Sequence, residues 1–242
     1  FQRFYYGISL YRIPSTFTFA AQYSTYLWAA LLTSYMLAGL ETSPRWRIFA
    51  KCSFVLVIIA SFLSGARGAF FFIPLLLLLT YTFQHGLRGI LKMLLVVVVL
   101  LVPLSTAIGL NLKAVLGNVW ILLIHYGQES LQNELWRAIK LAPLGLGTGM
   151  NTIAARYACL GSNTSCTIGI ENYYGKAIIE LGLIGGALLV AWQIVLIATT
   201  IRCSRLLRTP ELKTVASACG ALFIVMFISN VKSFRLDFEP LN

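Results

Sequence analysis

The chain has 242 residues, 58% of them hydrophobic and 11% charged, with a mean hydropathy of +0.80 and a formal net charge of +11. So little polar surface cannot coat a water-soluble globule of this length, and composition points to an integral membrane protein. The cations are divided between the two faces of the inferred membrane, with no basic aromatic stripe, which argues against a nucleic-acid partner.

Taken in chain order, apolar runs that reach or approach the roughly 20 residues needed to cross hydrocarbon lie near 16–40, 49–64, 69–84, 90–109, 176–201 and 214–231. Continuously apolar stretches at 75–79 and 94–102 lack the alternation of a barrel strand. The expected fold is all-α, a polytopic transmembrane helical bundle. Residues 1–109 supply four transmembrane helices and 110–175 an extracytoplasmic helical segment. Residues 176–242 supply two more helices and the start of a further outer loop. The chain opens Phe-Gln-Arg-Phe and closes Glu-Pro-Leu-Asn, with no initiator Met or signal peptide, so an incomplete chain is expected.

Arg45, Arg47 and Lys51 lie in one connection between spans, Arg88 and Lys92 in a second, and Arg202, Arg205, Arg208 and Lys213 in a third. Alternating spans put all three on one side, which the positive-inside rule makes cytoplasmic. The predicted location is the cytoplasmic (inner) membrane, with 110–175 outside the cytoplasm. Arg67, in Ser-Gly-Ala-Arg-Gly-Ala between two spans, then stands on the outer side against that rule. A guanidinium at a membrane boundary is costly when unpaired, so an anion is its expected partner.

The outer segment has room for a site. Leu135, Ile139 and Ala142 recur at helical spacing, and Pro143 and Gly145 end the run. Arg137 has two readings, local helix support with Glu134 three residues earlier or contact with a phosphate. The following Leu-Gly-Leu-Gly-Thr-Gly exposes backbone amides that can cradle an anion, although it is no Walker A loop and a turn back toward the membrane is the plainer reading. Cys159 and Cys166 are positioned for a disulfide in an oxidising compartment, or else remain two free thiols. No histidine stands near them to complete a zinc site, and no metal is expected. Cys52, Cys203 and Cys219 fall within the membrane or on its inner side and are expected to be reduced.

Glu171 opens a second constellation, Glu-Asn-Tyr-Tyr-Gly-Lys, at the mouth of a span. As a helix cap its carboxylate accepts backbone amides and is a poor base. Facing a partly dry cavity, it becomes a competent general base. Lys176 and Glu180 have ion-pair spacing on a helix, whereas Glu171 and Glu180 fall on opposite faces and form no dyad. Gly182, Gly185 and Gly186 are expected to let a neighbouring helix approach. His85 and His125 are read as structural. Polar groups at mid-span and paired broken repeats, the marks of a transporter, are not evident in the sequence.

Ser-Gly-Ala-Arg-Gly-Ala, then Leu-Trp-Arg-Ala with Pro-Leu-Gly-Leu-Gly-Thr-Gly, then Glu-Asn-Tyr-Tyr leading into Glu-Leu-Gly-Leu-Ile-Gly resemble, in that order, the O-antigen ligase and polymerase family. Arg12 in Arg-Ile-Pro-Ser-Thr-Phe adds an upstream likeness. The resemblance implies a membrane-embedded, GT-C-like glycosyltransferase that needs no metal or other cofactor. Its partners would be a polyprenyl-pyrophosphate-linked glycan and a glycan or lipid acceptor, met among membrane lipids. It implies catalytic roles for Glu171 and Arg67, and substrate binding by Arg137, Arg12 and Asn172. The ligases usually open the last motif with His-Asn; Glu171-Asn172 stands here instead, which leans toward a polysaccharide polymerase or a variant ligase. A non-catalytic membrane subunit or a lipid-linked glycan transporter is the alternative.

Overall fold

The computed structural model describes residues 2–5, 8–11, 20–63, 68–86, 90, 128–149, 170 and 172–231. Among these the structure is helical apart from one short antiparallel hairpin. Strands β1 (Gln2–Tyr5) and β2 (Ile8–Tyr11) pair Gln2 with Tyr11 and Tyr5 with Ile8. Aromatic and β-branched residues favour this pleated pairing, which the all-helical expectation did not include. The chain divides into two compact units, one of residues 1–98 and 197–225, the other of 99–196 and 226–242.

The first unit holds α1 (Ala20–Leu40), α2 (Pro44–Leu63) and α3 (Gly68–His85). It also takes the later part of α5 (Tyr173–Leu206) and most of α6 (Pro210–Ser229). Each helix boundary has a local cause. Pro44 occupies the first helical position of α2, where its missing N–H is not needed. Arg47 donates from Nε at 3.0 Å and Nη2 at 2.8 Å to the carbonyl of Glu41, just past the end of α1. Gly86, at φ 69°, donates its N–H to Thr82 and closes α3 in the left-handed conformation that glycine tolerates.

Its core is a layered contact of Trp28, Leu31 and Leu32 from α1, Ile73, Leu76 and Leu77 from α3, and Ala218, Ala221 and Val225 from α6. Trp28 and Phe72 meet with ring centroids 5.1 Å apart. The small residues on α6 permit close helix approach, so fitting apolar surfaces do most of the holding in this unit. Two of its hydroxyls are satisfied locally, Thr80 donating to the carbonyl of Leu76 at 2.8 Å and Ser61 to that of Val57 at 2.6 Å, while the buried Ser217 hydroxyl has no partner among the described residues.

The second unit contains a π-helical segment Gln128–Leu135 that runs into α4 (Trp136–Leu141), and the first part of α5. The stripe expected from the sequence is present: Leu135 and Ile139 pack on a buried cluster of Ala138, Ala142, Ile170, Ile178 and Ile179.

The span expected near 90–109 lies outside the described residues apart from residue 90; of the other five, α5 and α6 are long and apolar enough to cross a membrane, and α3 is apolar but shorter. Ser24, Thr25, Ser34 and several tyrosines dilute α1, and Arg45, Arg47 and Lys51 occupy the first turns of α2. At 34 residues α5 would measure ~51 Å as a straight helix, well beyond one hydrocarbon thickness. It is not straight, because Gly182 has φ 77° and ψ 175°.

Candidate functional site at the start of the fifth helix

Two features of the second unit converge on α5, a polar helix start and a spliced break. At the start, Ile170 and Asn172 are fully buried. Asn172 Oδ1 accepts the backbone N–H of Tyr174 at 2.9 Å and of Gly175 at 3.4 Å. This is an N-cap, so the capping role considered for Glu171 is filled by the residue after it. The N–H of Tyr173 reaches the carbonyl of Asn230 at 3.2 Å, which ties the helix start to the end of α6.

One turn further, Tyr174 Oη lies 2.9 Å from the carbonyl of Phe227 and 3.1 Å from Oε1 of Gln193. A hydroxyl has one proton, and the Phe227 carbonyl can only accept it. Exchanging the Gln193 amide's O and N then lets its NH2 donate to the Tyr174 oxygen, the arrangement that satisfies both bonds. The Tyr174 and Phe227 rings pack at 5.6 Å. Asn230 is completely buried, and neither of its side-chain polar atoms has a hydrogen-bond partner among the described residues. An amide left so costs ~1–3 kcal/mol for each unpaired group, and a polar ligand could satisfy it. Lys176 Nζ stands 4.0 Å from Glu180 Oε1, the pair expected from their spacing, with both side chains largely buried.

The break follows ten residues after Asn172. Leu146 N donates to Ile179 O at 2.7 Å and Gly147 N to Glu180 O at 3.2 Å, while Leu183 N donates to Pro143 O at 2.9 Å. These bonds replace ladder bonds that the unwound turn gives up, which a helix in an apolar environment requires. The approach is backbone to backbone: a Cβ on Gly145 would lie 2.6 Å from Gly182 N, and one on Gly182 would lie 2.7 Å from the Leu144 carbonyl. Both glycines also have positive φ, 86° and 77°.

The glycine-rich stretch forms a turn, the plainer of its two readings, and the amides of Leu146 and Gly147 mend the helix. One expectation changes here. Gly182 receives a loop, not a neighbouring helix, while a Cβ on Gly185 or Gly186 would meet Leu181 or Ile178 of α5 itself. A polar Gln193 also lies inside an apolar run, against the sequence reading that found no polar group at mid-span, and one helix is broken, at Gly182.

Of the named site residues, Asn172 is the buried cap and Arg137 is exposed on α4. Arg12, Arg67, Glu171, Cys159, Cys166 and His125 lie outside the described residues. His85 ends α3, exposed, with its ring 4.3 Å from that of Tyr81. Cys52, Cys203 and Cys219 are free thiols, as expected. No group of metal-ligating residues occurs among the described residues. Sequence reasoning missed Tyr174, Gln193 and Asn230. A lone amide in Ala-Trp-Gln-Ile was the available signal for Gln193, because an uncompensated amide is costly in hydrocarbon. No protein-family model, curated protein or solved structure matches the chain.

Proposed function

We propose that this chain is a six-span glycosyltransferase of the cytoplasmic membrane, of the O-antigen ligase and polymerase type, with residues 110–175 outside. It moves a glycan from a polyprenyl pyrophosphate donor to a sugar hydroxyl without metal. Exposed apolar side chains on α5 support the membrane setting: Ile184 is 76% and Leu188 66% exposed, where the central helix of a water-soluble fold would bury them. The observation that carries the enzymatic reading is the motif around Glu171, which directly precedes a polar, capped helix start within an otherwise apolar element.

In the proposed reaction the acceptor hydroxyl oxygen attacks the anomeric carbon, and its proton passes to the Glu171 carboxylate. The carbon–oxygen bond to pyrophosphate breaks, and polyprenyl pyrophosphate leaves with the bonding electrons. Arg67 stabilises that charge, and Arg137 and Arg12 hold the donor. Asn172 acts as a positioning residue that fixes the helix start beside Glu171. Full-length protein given a lipid-linked oligosaccharide is expected to transfer the glycan in the presence of a chelator. Arg67→Ala and Glu171→Gln are each expected to lower transfer roughly 10²–10³-fold. Unimpaired transfer by both variants refutes these roles.

The break at Gly182 and the buried Gln193 favour a second reading, a transporter of lipid-linked glycan, since discontinuous helices line such pathways. A transporter would carry the donor across a bilayer intact, with no new glycosidic bond.

A further inference from the structure

Three contacts inside the first unit bring four helix ends to one level. Tyr35 near the end of α1 donates its hydroxyl to Gln84 near the end of α3 at 2.8 Å. A Cβ on Gly220 of α6 would lie 3.6 Å from Thr200 of α5 and 3.7 Å from Phe83 of α3. From these residues to the helix ends is between one and ten residues, or ~1.5–15 Å along the axes. The α1–α2 and α5–α6 connections therefore emerge at the same end of the unit.

That end is strongly basic. Residues 41–51 and 202–213 carry seven arginines and lysines against two acids, Glu41 and Glu211. Arg47 is committed to the Glu41 carbonyl, and Glu41 Oε1 accepts the N–H of Ser43 at 3.0 Å. Arg45, Lys51, Arg202, Arg205 and Arg208 are exposed, and Lys213 is half-buried. Beside them Trp46 and Phe49, 63% and 62% exposed, form an edge-to-face pair with centroids 5.8 Å apart. An exposed aromatic pair among guanidinium groups at the end of apolar helices has the amphipathic character of the headgroup layer, where rings lie in the interface and cations meet phosphates.

We infer that this basic end is a binding surface for acidic phospholipid headgroups, with the arginines of the α5–α6 connection as its principal phosphate ligands. The guanidinium fork matches a phosphodiester, and the aromatic pair anchors the same edge at headgroup depth. This inference rests on the membrane setting proposed above, but not on the glycosyl transfer.

The test uses the full-length protein reconstituted into vesicles of equal phosphatidylglycerol and phosphatidylcholine, extracted and weighed by native mass spectrometry. Phosphatidylglycerol is expected to be retained over phosphatidylcholine. The preference is expected to fall roughly fivefold per cation removed, in the combined variant Arg202→Gln, Arg205→Gln, Arg208→Gln. Lys140→Gln, in the other unit, is expected to leave it unchanged. If the combined variant does not fold, raising salt on the unaltered protein is expected to erode the same preference. Equal retention of the two lipids, a loss in the Lys140 variant equal to that per cation removed from the α5–α6 connection, or an effect of inorganic phosphate on thermal stability matching that of the lipid would overturn the inference. Failure to enter vesicles at all would overturn the membrane setting with it.

Discussion

The two units hold themselves together by different means. In the first, regular helices meet chiefly through apolar side chains and small residues, with Thr80 and Ser61 each bonding a carbonyl of its own helix and Tyr35 bonding Gln84 between helices. In the second, a helix is interrupted, a loop is joined to it by backbone bonds, and Tyr174 bridges separate elements. A unit built on side-chain fit tolerates local change that keeps volume. One built on backbone approach and cross-element polar bonds does not, and such demanding geometry is what a chemical site needs from its support.

The same type of substitution should therefore give opposite signs in the two units. Gly182→Ala forces a β-carbon against the Leu144 backbone at positive φ, and a loss of about 2–5 kcal/mol is expected. Gly39→Ala in α1 meets nothing within 4 Å and should stabilise by about 0.5–1 kcal/mol through helix propensity. Thermal unfolding in detergent measures both, and equal effects would erase the distinction drawn between the units.

Hydroxyl removal is the next comparison. Tyr174→Phe leaves a buried amide at Gln193 and a carbonyl at Phe227 without their shared partner, for an expected cost of about 1–3 kcal/mol. Asn172→Ala removes the α5 cap and should cost about 0.5–2 kcal/mol. Thr80→Val, by contrast, orphans no group, since the Leu76 carbonyl remains in the helix ladder; a change within about 0.5 kcal/mol is expected. A Thr80→Val loss as large as that of Tyr174→Phe would show that the units do not differ in this way.

Much of the first unit was legible from apolar runs, although the helices extend past them. A run reports hydrocarbon depth, whereas the backbone ladder continues through Arg45 to Arg47 in α2, Glu211 to Lys213 in α6, and Arg202 to Arg205 in α5. In the second unit the stripe Leu135, Ile139 and Ala142 and the pair Lys176–Glu180 were legible because helical spacing is local. The splice was not, because glycine fits both a helix and a left-handed turn. The partner that decides for Gly182 is Leu144-Gly145, far away in the chain. The sequence marks a helix start at 171–172, and Asn172 turns its oxygen onto the amides, while Glu171 lies outside the described residues.

The central claim is that a helix held in this fashion serves glycosyl transfer. The most direct measurement is the fate of a labelled glycan on polyprenyl pyrophosphate when the full-length protein is reconstituted in sealed vesicles with chelator and a sugar acceptor. The account predicts a new glycosidic bond on the acceptor and release of the lipid pyrophosphate. Label that crosses the bilayer still attached to its lipid, with no acceptor product, would contradict it.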